Sequence, residues 1–512
     1  MRRRDFVKVL GALSAATLFS DLRFAKGIRT EARAEDTAFS SATVQELARK
    51  LAAEKYVPPP INLPAGLDGL DYDQYRSIRF KLERAIWSSE GLPFLVELFH
   101  RGFIFKAPVA VYLVSDGTAQ RVTYSPDLFN FGPRTQPPPK DSVQDFSGIR
   151  LRAPINRPDY LDEFAVFQGA SYFRAVAKDQ GYGLAARGLA ISTGSPEGEE
   201  FPLFRTFWIE QPKAGASAIV IHALLDTAST TGAYRFTIRP GDATVMDVEM
   251  TLYPRVELRL VGLAPLTSMF NFAPNDRVGI DDFRAAVHDS DGLSIWNGTG
   301  EWLWRPLINP ETLQVSAFID DNPRGFGLMQ RDRDFDNYQD LESHFERRPS
   351  LWVETIGHWG SGAVELVEIP SSFEYHDNIV AYWHPNSALP PQAEYRVTYR
   401  LHWCWQPPVG PSGATVASTR VGAGPGKATR LFVIDFIGGR LAELAPNTPV
   451  KPMITVSAGT VREVVAQPNP MTGGWRVNFV LATEGVKLCD LRCTLKLENE
   501  LLSEVWSYRW TP

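Results

Sequence analysis

Two runs decide the fold: Ser217-Ala-Ile-Val-Ile-His-Ala-Leu-Leu225 and, shortly after it, Tyr234-Arg-Phe-Thr-Ile238. The first is continuously apolar, which is typical of a buried strand. The second alternates between apolar and polar residues and stops at Pro240-Gly241, which indicates a strand with one buried face. Residues 244–252 and 256–260, on either side of Pro254, predict two more strands.

The same pattern extends outward from these runs over residues 70–405. Turn residues recur every 8–15 positions, and strands do not alternate with long helices. This arrangement favours a large antiparallel sandwich over a Rossmann fold or a TIM barrel. One helix is predicted before it, opened by a capping box at Thr43 and Glu46 and ended by Pro58-Pro-Pro60.

A Pro- and Gly-rich break at residues 406–416 separates this part from the last hundred residues. Short strands follow it, among them Trp475-Arg-Val-Asn-Phe479 after Gly473-Gly474, which indicates a hairpin. We therefore predict a β-sandwich domain over 35–405, a linker over 406–416 and an immunoglobulin-like domain over 417–512. The Cys…Trp…Cys spacing of true immunoglobulin domains is missing.

The N-terminus reads Arg2-Arg-Arg-Asp-Phe-Val-Lys8, followed by a short apolar run. Twin arginines, Phe and Lys in this order are typical of a Tat export signal, and the run is too short to span a membrane. Ala32-Arg-Ala34 fits the cleavage rule, so residues 1–34 are predicted to be the signal peptide. The expected location of the mature protein is the periplasm.

Charge and motif content exclude several function classes. The formal net charge of the whole chain is −6. Residues 1–34 have a net charge of +5, so the rest of the chain has a net charge of −11. Such an acidic chain is poorly suited to bind nucleic acid or anionic membrane surfaces, and no later segment predicts a membrane span. The eight His residues lack metal-ligand spacing, the three Cys residues predict buried thiols, and no cofactor is expected.

Residues 288–383 concentrate Asp, Arg and Trp. A sugar ligand needs flat aromatic surfaces for its apolar faces and charged or amide groups for its hydroxyls. Glycoside hydrolysis adds two carboxyl groups, one that donates a proton and one that activates water. On composition alone, a set of surface ion pairs with core tryptophans explains the segment equally well.

Several blocks within and before this segment resemble the family of osmoregulated periplasmic glucan biosynthesis proteins G and D. The similarity runs from about residue 55 to the C-terminus, and the Tat signal favours the D-like branch. The matching blocks are Leu70-Asp-Tyr-Asp-Gln-Tyr-Arg-Ser-Ile-Arg-Phe80, Val287-His-Asp-Ser-Asp-Gly292, Gly300-Glu-Trp-Leu-Trp-Arg-Pro306, Asn322-Pro-Arg-Gly-Phe-Gly327, Val364-Glu-Leu-Val-Glu-Ile-Pro370 and Asp377-Asn-Ile-Val-Ala-Tyr-Trp383.

The resemblance implies an all-β fold: a large N-terminal antiparallel sandwich of the carbohydrate-active, galactose-mutarotase-like type, and an immunoglobulin-like C-terminal sandwich. It also implies action on β-1,2-linked glucan as an inverting endo-β-1,2-glucanase. In that scheme Asp377 is the general acid and Asp289 the base. Departing from the expected Tyr, Phe345 precedes the Glu-Arg-Arg-Pro-Ser run, which puts a tyrosine-mediated proton relay in doubt.

Further residues are expected to bind substrate. Trp302, Trp304, Trp359 and Trp383 are candidate stacking platforms, and strand alternation puts Trp302 and Trp304 together, either in a cleft or in the core. The polar candidates are Gln330, Arg331, Tyr338 and Asp340. Surface ion pairing is an equal alternative for the first three, and a turn cap is the alternative for Asp340. His288 and His376 are expected to pack or donate hydrogen bonds beside the two acids.

Three functions stay open at this point. The first is the glucanase, which would trim backbones and set chain length. The second is a non-catalytic scaffold that binds β-1,2-glucan for an inner-membrane glucan synthase, which would then be a protein partner. The third is a transglycosylase or branching enzyme in the same cleft.

Overall fold

A computed structural model describes residues 37–140 and 145–512; the predicted signal peptide, residues 1–34, lies outside them. Within the described residues the α-helices are α1 Ser41–Ala52, α2 Ala65–Asp68 and α3 Tyr72–Ser77. Short 3₁₀ helices lie at Leu82–Arg84, Pro126–Leu128, Phe335–Asn337, Phe345–Arg347 and Gly439–Glu443. Helix is therefore a minor component.

Strands make up most of the described chain. Up to residue 300 they are β1 Thr37–Ala38, β2 Arg79–Phe80, β3 Leu95–Phe99, β4 Ala110–Ser115, β5 Thr118–Arg121, β6 Phe129–Asn130, β7 Gly148–Ala153, β8 Asp162–Gln168, β9 Tyr172–Ala175, β10 Ala185–Arg187, β11 Ala190–Ile191, β12 Leu203–Glu210, β13 Ile219–Asp226, β14 Thr230–Arg239, β15 Thr244–Pro254, β16 Val261–Ser268, β17 Phe270–Phe272, β18 Val287–His288 and β19 Gly292–Trp296. After residue 300 they are β20 Trp302–Pro306, β21 Gln314–Asp321, β22 Gly325–Met329, β23 Ser350–Ile356, β24 Ser361–Glu368, β25 Ile379–Pro385, β26 Tyr395–Cys404, β27 Thr415–Ala423, β28 Thr429–Ile437, β29 Lys451–Val456, β30 Thr460–Asn469, β31 Gly474–Ala482, β32 Cys489–Leu497, β33 Glu500–Leu501 and β34 Val505–Trp510.

Among the residues described, two large sheets contain most of the N-terminal strands, and the first sheet continues into the C-terminal part. The first has sixteen strands in the order β1-β5-β4-β12-β13-β14-β15-β26-β23-β22-β19-β20-β34-β32-β29, with β33 beside β32. The second has ten, in the order β21-β24-β25-β16-β10-β9-β8-β7-β3, with β11 beside β16. Their facing side chains, from Phe236 and Val248 on one sheet to Leu266 and Val364 on the other, share one hydrophobic core. The predicted all-β sandwich is confirmed.

Residues 217–252, which contain the continuous apolar run and the alternating runs, lie in the middle of the sixteen-stranded sheet as β13, β14 and β15. The continuous apolar run becomes β13 because this strand is buried on both faces: Leu225 faces the main core, and Leu224 packs against Val44 and Ala48 of α1. The expected strand at 256–260 is wrong. That segment is a connection with Val256 and Leu260 exposed, and β16 begins at Val261.

Helix α1 begins one turn earlier than the predicted cap. Ser40 is its N-cap, and Ser40 and Thr43 form the capping box in place of Thr43 and Glu46. The helix ends at Ala52, ahead of the three prolines. Its buried residues recur every four positions, at Val44, Ala48 and Ala52, so one stripe faces the sheet.

Residues after 414 form a second sandwich. A four-stranded sheet, β27-β28-β31-β30, packs against β34, β32 and β29 around a separate core. Apart from the two-residue strand β33 beside β32, this gives four strands against three, the count of an immunoglobulin constant-type sandwich. This part is joined to the first by hydrogen bonding, because β34 pairs in parallel with β20. The second core also contains Trp304 and Trp352 from the N-terminal part.

The domain boundaries stay a prediction, with one adjustment: β27 begins at Thr415, so the last two residues of the expected linker belong to a strand. The expectation for the cysteines is confirmed. Cys404, Cys489 and Cys493 are buried free thiols.

Candidate active site

The two predicted catalytic acids lie on either side of one short strand connection. This connection, residues 268–270, joins β16 to β17. The backbone N–H of Asp289 donates to the carbonyl of Met269 at 2.9 Å. Next to Asp377, the amide of Asn378 accepts from the N–H of Phe270 and donates to its carbonyl, both at 2.9 Å. Chain segments distant in sequence thus bring Asp289 and Asp377 to neighbouring positions along this connection.

Each of these acids is 7% exposed and faces an arginine. Oδ2 of Asp377 lies 3.3 Å from Nη2 of Arg174 on β9, and Oδ1 of Asp289 lies 3.4 Å from Nε of Arg348. A neighbouring guanidinium favours the ionised form of a carboxyl group. Sequence analysis missed both arginines. Arg348 stands in the quoted Arg-Arg-Pro-Ser run, whereas Arg174 is 203 residues from its partner and gave no local signal.

His288, the neighbour of Asp289, is a buried hydrogen-bonding group, as expected. Its Nδ1 lies 2.9 Å from Oε1 of Gln330, and burial lowers the pKa of the ring to about 4. The ring is therefore neutral near pH 7. Gln330 also donates to the carbonyls of His288 and Phe345, at 3.1 and 2.9 Å. His376, beside Asp377, has its Nδ1 3.2 Å from the hydroxyl of Ser371.

Three of the expected substrate-binding residues are packed inside the main core. Trp383 and Tyr338 are 0% exposed, and Trp359 is 6% exposed. The hydroxyl of Tyr338 donates to the carbonyl of Asp332 at 3.1 Å. A ring enclosed on all sides offers no face to a sugar, so the packing of these three residues favours a role in the core, and their part in substrate binding stays a prediction. The aromatic signal they gave in the sequence came from core packing.

Trp302 and Trp304 lie elsewhere, at the second core. Trp302 stacks on Trp296 and on Trp352, with ring centroids 5.2 and 5.5 Å apart. Trp304 carries the guanidinium of Arg331 at 3.6 Å from its ring centroid. Alternation along β20 does put both on one face, and that face packs against the second core. Their ring faces are taken by protein side chains, which favours the core alternative for both.

Arg331 joins the two parts of the molecule. Its guanidinium pairs with both carboxylate oxygens of Glu504, at 2.6 and 3.1 Å, and donates to the carbonyl of Val416 at 3.2 Å. The Glu504 side chain is fully buried. Arg331 thus forms an ion pair, as the alternative to substrate binding predicted, and this ion pair connects the two parts of the molecule. Beside it lies a cavity of about 640 Å³, whose lining includes Trp304, Gln330 and Arg331.

Asp291 also lines this cavity, two residues after Asp289. Its Oδ2 accepts from the backbone N–H groups of Arg331 and Asp332, both at 3.0 Å. Its Oδ1 is buried and has no hydrogen-bond partner among the described residues. Burial raises the pKa of this carboxyl group to about 6, against the two N–H bonds, which act to lower the pKa. The sequence analysis did not single out Asp291.

Asp340 belongs to a cluster around Arg284. Its Oδ1 caps a turn by accepting from the backbone N–H groups of Glu342 and Ser343, at 3.0 and 2.8 Å. Its Oδ2 lies 2.8 Å from Nη1 of Arg284. The turn-cap alternative is therefore present in the structure, together with an ion pair that the sequence did not suggest.

Exposed aromatic rings stand directly before the acid, and the sequence analysis did not assign them. Phe373 and Tyr375 stack with centroids 5.0 Å apart, and Phe373 is 49% exposed. Phe283, on the segment that leads to Asp289, is 81% exposed. Rings open to solvent beside a carboxyl group are suited to stack on a sugar. The available signal was their position two and four residues before Asp377.

The fold and these sites define a class: a two-part β-sandwich protein with two arginine-paired acids at one strand junction and no group of three metal-binding side chains in the described part. Comparison of the sequence with known proteins identifies the family within this class. Residues 39–510 match the family model described as periplasmic glucan biosynthesis protein, MdoG. The chain belongs to this family.

Individual relatives agree with the family. Glucans biosynthesis protein G of Rhodopseudomonas palustris is 54% identical over 480 residues, which covers 94% of this chain and 95% of that protein. Glucans biosynthesis protein G of Vibrio cholerae is 51% identical over 481 residues, covering 93% and 88%. Both bear the name G, so the expected placement in the D-like branch finds no support.

One solved structure, a galactose mutarotase related enzyme from Lactobacillus acidophilus, matches 46% of this chain and 96% of its own with 8% identity and a TM-score of 0.20. So slight a likeness adds nothing to the fold described above. In the described residues, no helix combines the length and the apolar character that a membrane crossing requires.

Proposed function

We propose that this protein is an inverting endo-β-1,2-glucanase that shortens periplasmic glucan backbones and so sets their chain length. The observation that carries the proposal is the meeting of Asp289 and Asp377 on either side of residues 268–270. Inverting glycosidases need two carboxyl groups that flank the scissile bond, about 6.5–9.5 Å apart, with room for a water on one side. Membership of a glucan biosynthesis family makes a glucan the natural substrate.

In the proposed reaction, Asp377 donates its proton to the glycosidic oxygen as the bond to the anomeric carbon breaks. Asp289 accepts a proton from a water molecule, whose oxygen attacks the same carbon from the opposite face. The products are two shorter glucans, one with an inverted anomeric hydroxyl at its new reducing end. Phe283, Phe373 and Tyr375 are placed to stack on glucose units next to the acid.

Both arginines favour the ionised form of the acid beside them, which suits one proposed role and opposes the other. The positive charge of Arg348 suits the base, which must be ionised to accept a proton. The positive charge of Arg174 opposes the acid role, because the acid must hold its proton until the bond breaks. The proposal therefore requires that the Arg174–Asp377 contact, which is 3.3 Å long, opens when glucan enters.

The decisive experiment compares the wild-type protein with Asp377→Asn on linear β-1,2-glucan, with products separated by chromatography. The wild type should release oligosaccharides, and the variant should lose at least about a thousandfold in kcat because the proton donor is gone. Asp490→Asn is the matched control, since Asp490 pairs with Arg509 in the C-terminal part. Equal activity of Asp377→Asn and wild type would refute the assignment. New linkages or longer products would indicate glucan transfer instead.

A glucan-binding scaffold is the second candidate, and Phe345 favours it. This side chain is buried in the main core and has no hydroxyl with which to relay a proton to or from Asp289. A scaffold would bind glucan without releasing reducing ends, would tolerate Asp377→Asn, and would present chains to a membrane synthase. Tight glucan binding without products from the wild type would establish this function. Tat-dependent export through residues 1–34 is part of either proposal.

A further inference from the structure

Arg284 holds three carboxylates that come from three separate segments. Its Nη2 lies 2.8 Å from Oδ2 of Asp282 and 2.8 Å from Oε2 of Glu374, and its Nη1 lies 2.8 Å from Oδ2 of Asp340. The guanidinium is mostly buried, and these partners raise its pKa above the ordinary arginine value. A planar fork with five N–H donors can serve three carboxylates at once, which a lysine ammonium does with less geometric definition.

Each of the three segments leads directly to the acid junction. Arg284 and Asp282 precede Asp289 by a few residues, through β18. Asp340 begins the stretch that ends at Arg348, the arginine beside Asp289. Glu374 stands three residues before Asp377. One guanidinium thus ties together the chain segments that carry the base, the arginine of the base and the acid.

Other contacts also hold the segment that carries the acid, including one at each end. At its start, Asn309 donates to the carbonyl of Ser371 at 2.7 Å and accepts from its N–H at 2.9 Å. At its end, Asn378 is bonded to Phe270. Between these anchors, Glu374 is bonded to Arg284. Together with the Arg174–Asp377 and His376–Ser371 contacts, the Arg284 cluster therefore helps to set the position of the segment between its ends.

We propose that Arg284 is a positioning residue that sets the place of Asp377 relative to Asp289 and Arg348. This inference rests on the proposed glucanase function. Proton donation and water attack on one bond require a fixed separation of acid and base, and a displacement of about 1 Å can cost about a hundredfold in rate. Without the guanidinium, three carboxylates would also face one another and repel, which drives the three segments apart.

Arg284→Met tests the proposal against a matched control, Arg255→Met. Arg255 is an equally buried arginine that pairs with Asp226 and bonds to the end of α1, away from the acids. Both variants should lose stability. Arg284→Met should lower kcat on linear β-1,2-glucan about 10- to 100-fold with KM changed less than about threefold, whereas Arg255→Met should keep kcat within about twofold. Arg284→Lys should retain part of the activity.

Glu374→Gln and Asp340→Asn each weaken one contact of Arg284, and they replace Arg284→Met as the test if that variant fails to fold. Each should lower kcat by a smaller factor, and Glu374→Gln should add little to Arg284→Met, because both remove the same link. Equal kcat in wild type and in folded Arg284→Met would overturn the proposal. Equal losses of kcat in Arg284→Met and Arg255→Met would also overturn it.

A second readout separates this inference from the glucanase proposal. Amide hydrogen exchange should speed up in residues 371–377 and 338–348 of Arg284→Met, and not of Arg255→Met, whether or not the protein cleaves glucan. If the wild type is inactive but exchange changes as expected, the glucanase proposal fails and the cluster stands as a link between the segments. If exchange in both segments is unchanged, the positioning role is refuted.

Discussion

Asp289 and Asp291 are two residues apart in one stretch, yet they belong to two regions with different chemistry. Asp289 lies at the acid junction, next to the guanidinium of Arg348. Asp291 lines the cavity between the two parts of the molecule, where its Oδ2 is bonded to backbone N–H groups and its Oδ1 is left buried. Each acid at the junction therefore stands beside a guanidinium, whereas at the cavity burial favours the protonated form of Asp291.

The aromatic residues differ in the same way between the two regions. At the junction, Phe283 and Phe373 are exposed, and although Phe373 stacks on Tyr375, much of each ring remains open to solvent. At the cavity, the faces of Trp302 and Trp304 are covered by other tryptophans and by Arg331. The difference teaches that an inventory of carboxyl groups and aromatic rings indicates a sugar site only where the rings remain open. The cavity region, by this criterion, connects the two sandwiches.

The largest effect expected from this comparison is on stability. Arg331→Met removes the partner of Glu504, whose side chain is fully buried, and leaves an uncompensated carboxylate inside the protein. Loss of one partner of a buried ion pair is strongly destabilising. Because Arg331 is partly exposed, we expect the free energy of unfolding to fall by about 2–4 kcal/mol. Urea unfolding followed by tryptophan fluorescence measures it.

The matched control is the double variant Arg331→Met/Glu504→Gln, which removes the stranded charge and should recover a good part of the loss. Glucan cleavage per folded molecule should stay close to wild type in both, because this ion pair lies at the cavity and away from the acids. A large fall in kcat without a loss of stability would contradict the comparison and place Arg331 in the substrate site after all.

Much of the fold could be predicted from local pattern. The apolar run that became β13 and the alternating run that became β14 gave strands at the right places, because burial on two faces or one face is written into the sequence period. The connection at 256–260 was wrongly predicted to be a strand, because its apolar and polar residues alternate as in a strand although its side chains are exposed as in a loop. Pairing of β34 with β20, which joins the two sandwiches, depends on contacts across 202 residues and left no local signal.

The site was less predictable, for the same physical reason. Resemblance named Asp289 and Asp377, but a single sequence carries no distances, so Arg174 could not be linked to Asp377. Trp383 and Phe373 were equally aromatic in the sequence, and only the packing of strands decides which one is enclosed. Arg284 had three acidic partners within ninety residues, and their convergence depends on how three loops fold back.

An intermediate effect is expected at the acid junction, where Arg174→Met removes the positive charge beside Asp377. Without that charge the carboxyl group holds its proton to higher pH, so the alkaline limb of kcat/KM, which reports the free protein, should move up by about one pH unit. Rates of reducing-end release between pH 4 and 9 measure the limb. Arg255→Met should leave it in place. An unchanged limb in Arg174→Met would mean that Asp377 is not the proton donor.

The smallest effect concerns Asp291, and it tests whether the cavity favours the protonated carboxyl group. A pKa of about 6 in the folded protein, above about 3.9 in the unfolded chain, means that the folded state binds the proton more tightly. This contribution to stability is complete below about pH 4 and is lost as the pH rises through 6. Between pH 5 and 8, Asp291 should therefore lower the free energy of unfolding by about 1 kcal/mol.

Asp291→Asn, which can still accept the two backbone N–H bonds, should abolish that fall, whereas Asp490→Asn should keep it. Parallel pH dependence of wild type and Asp291→Asn in urea unfolding would show that the cavity does not favour the protonated carboxyl group, and the contrast between the two regions would then rest on the aromatic residues alone.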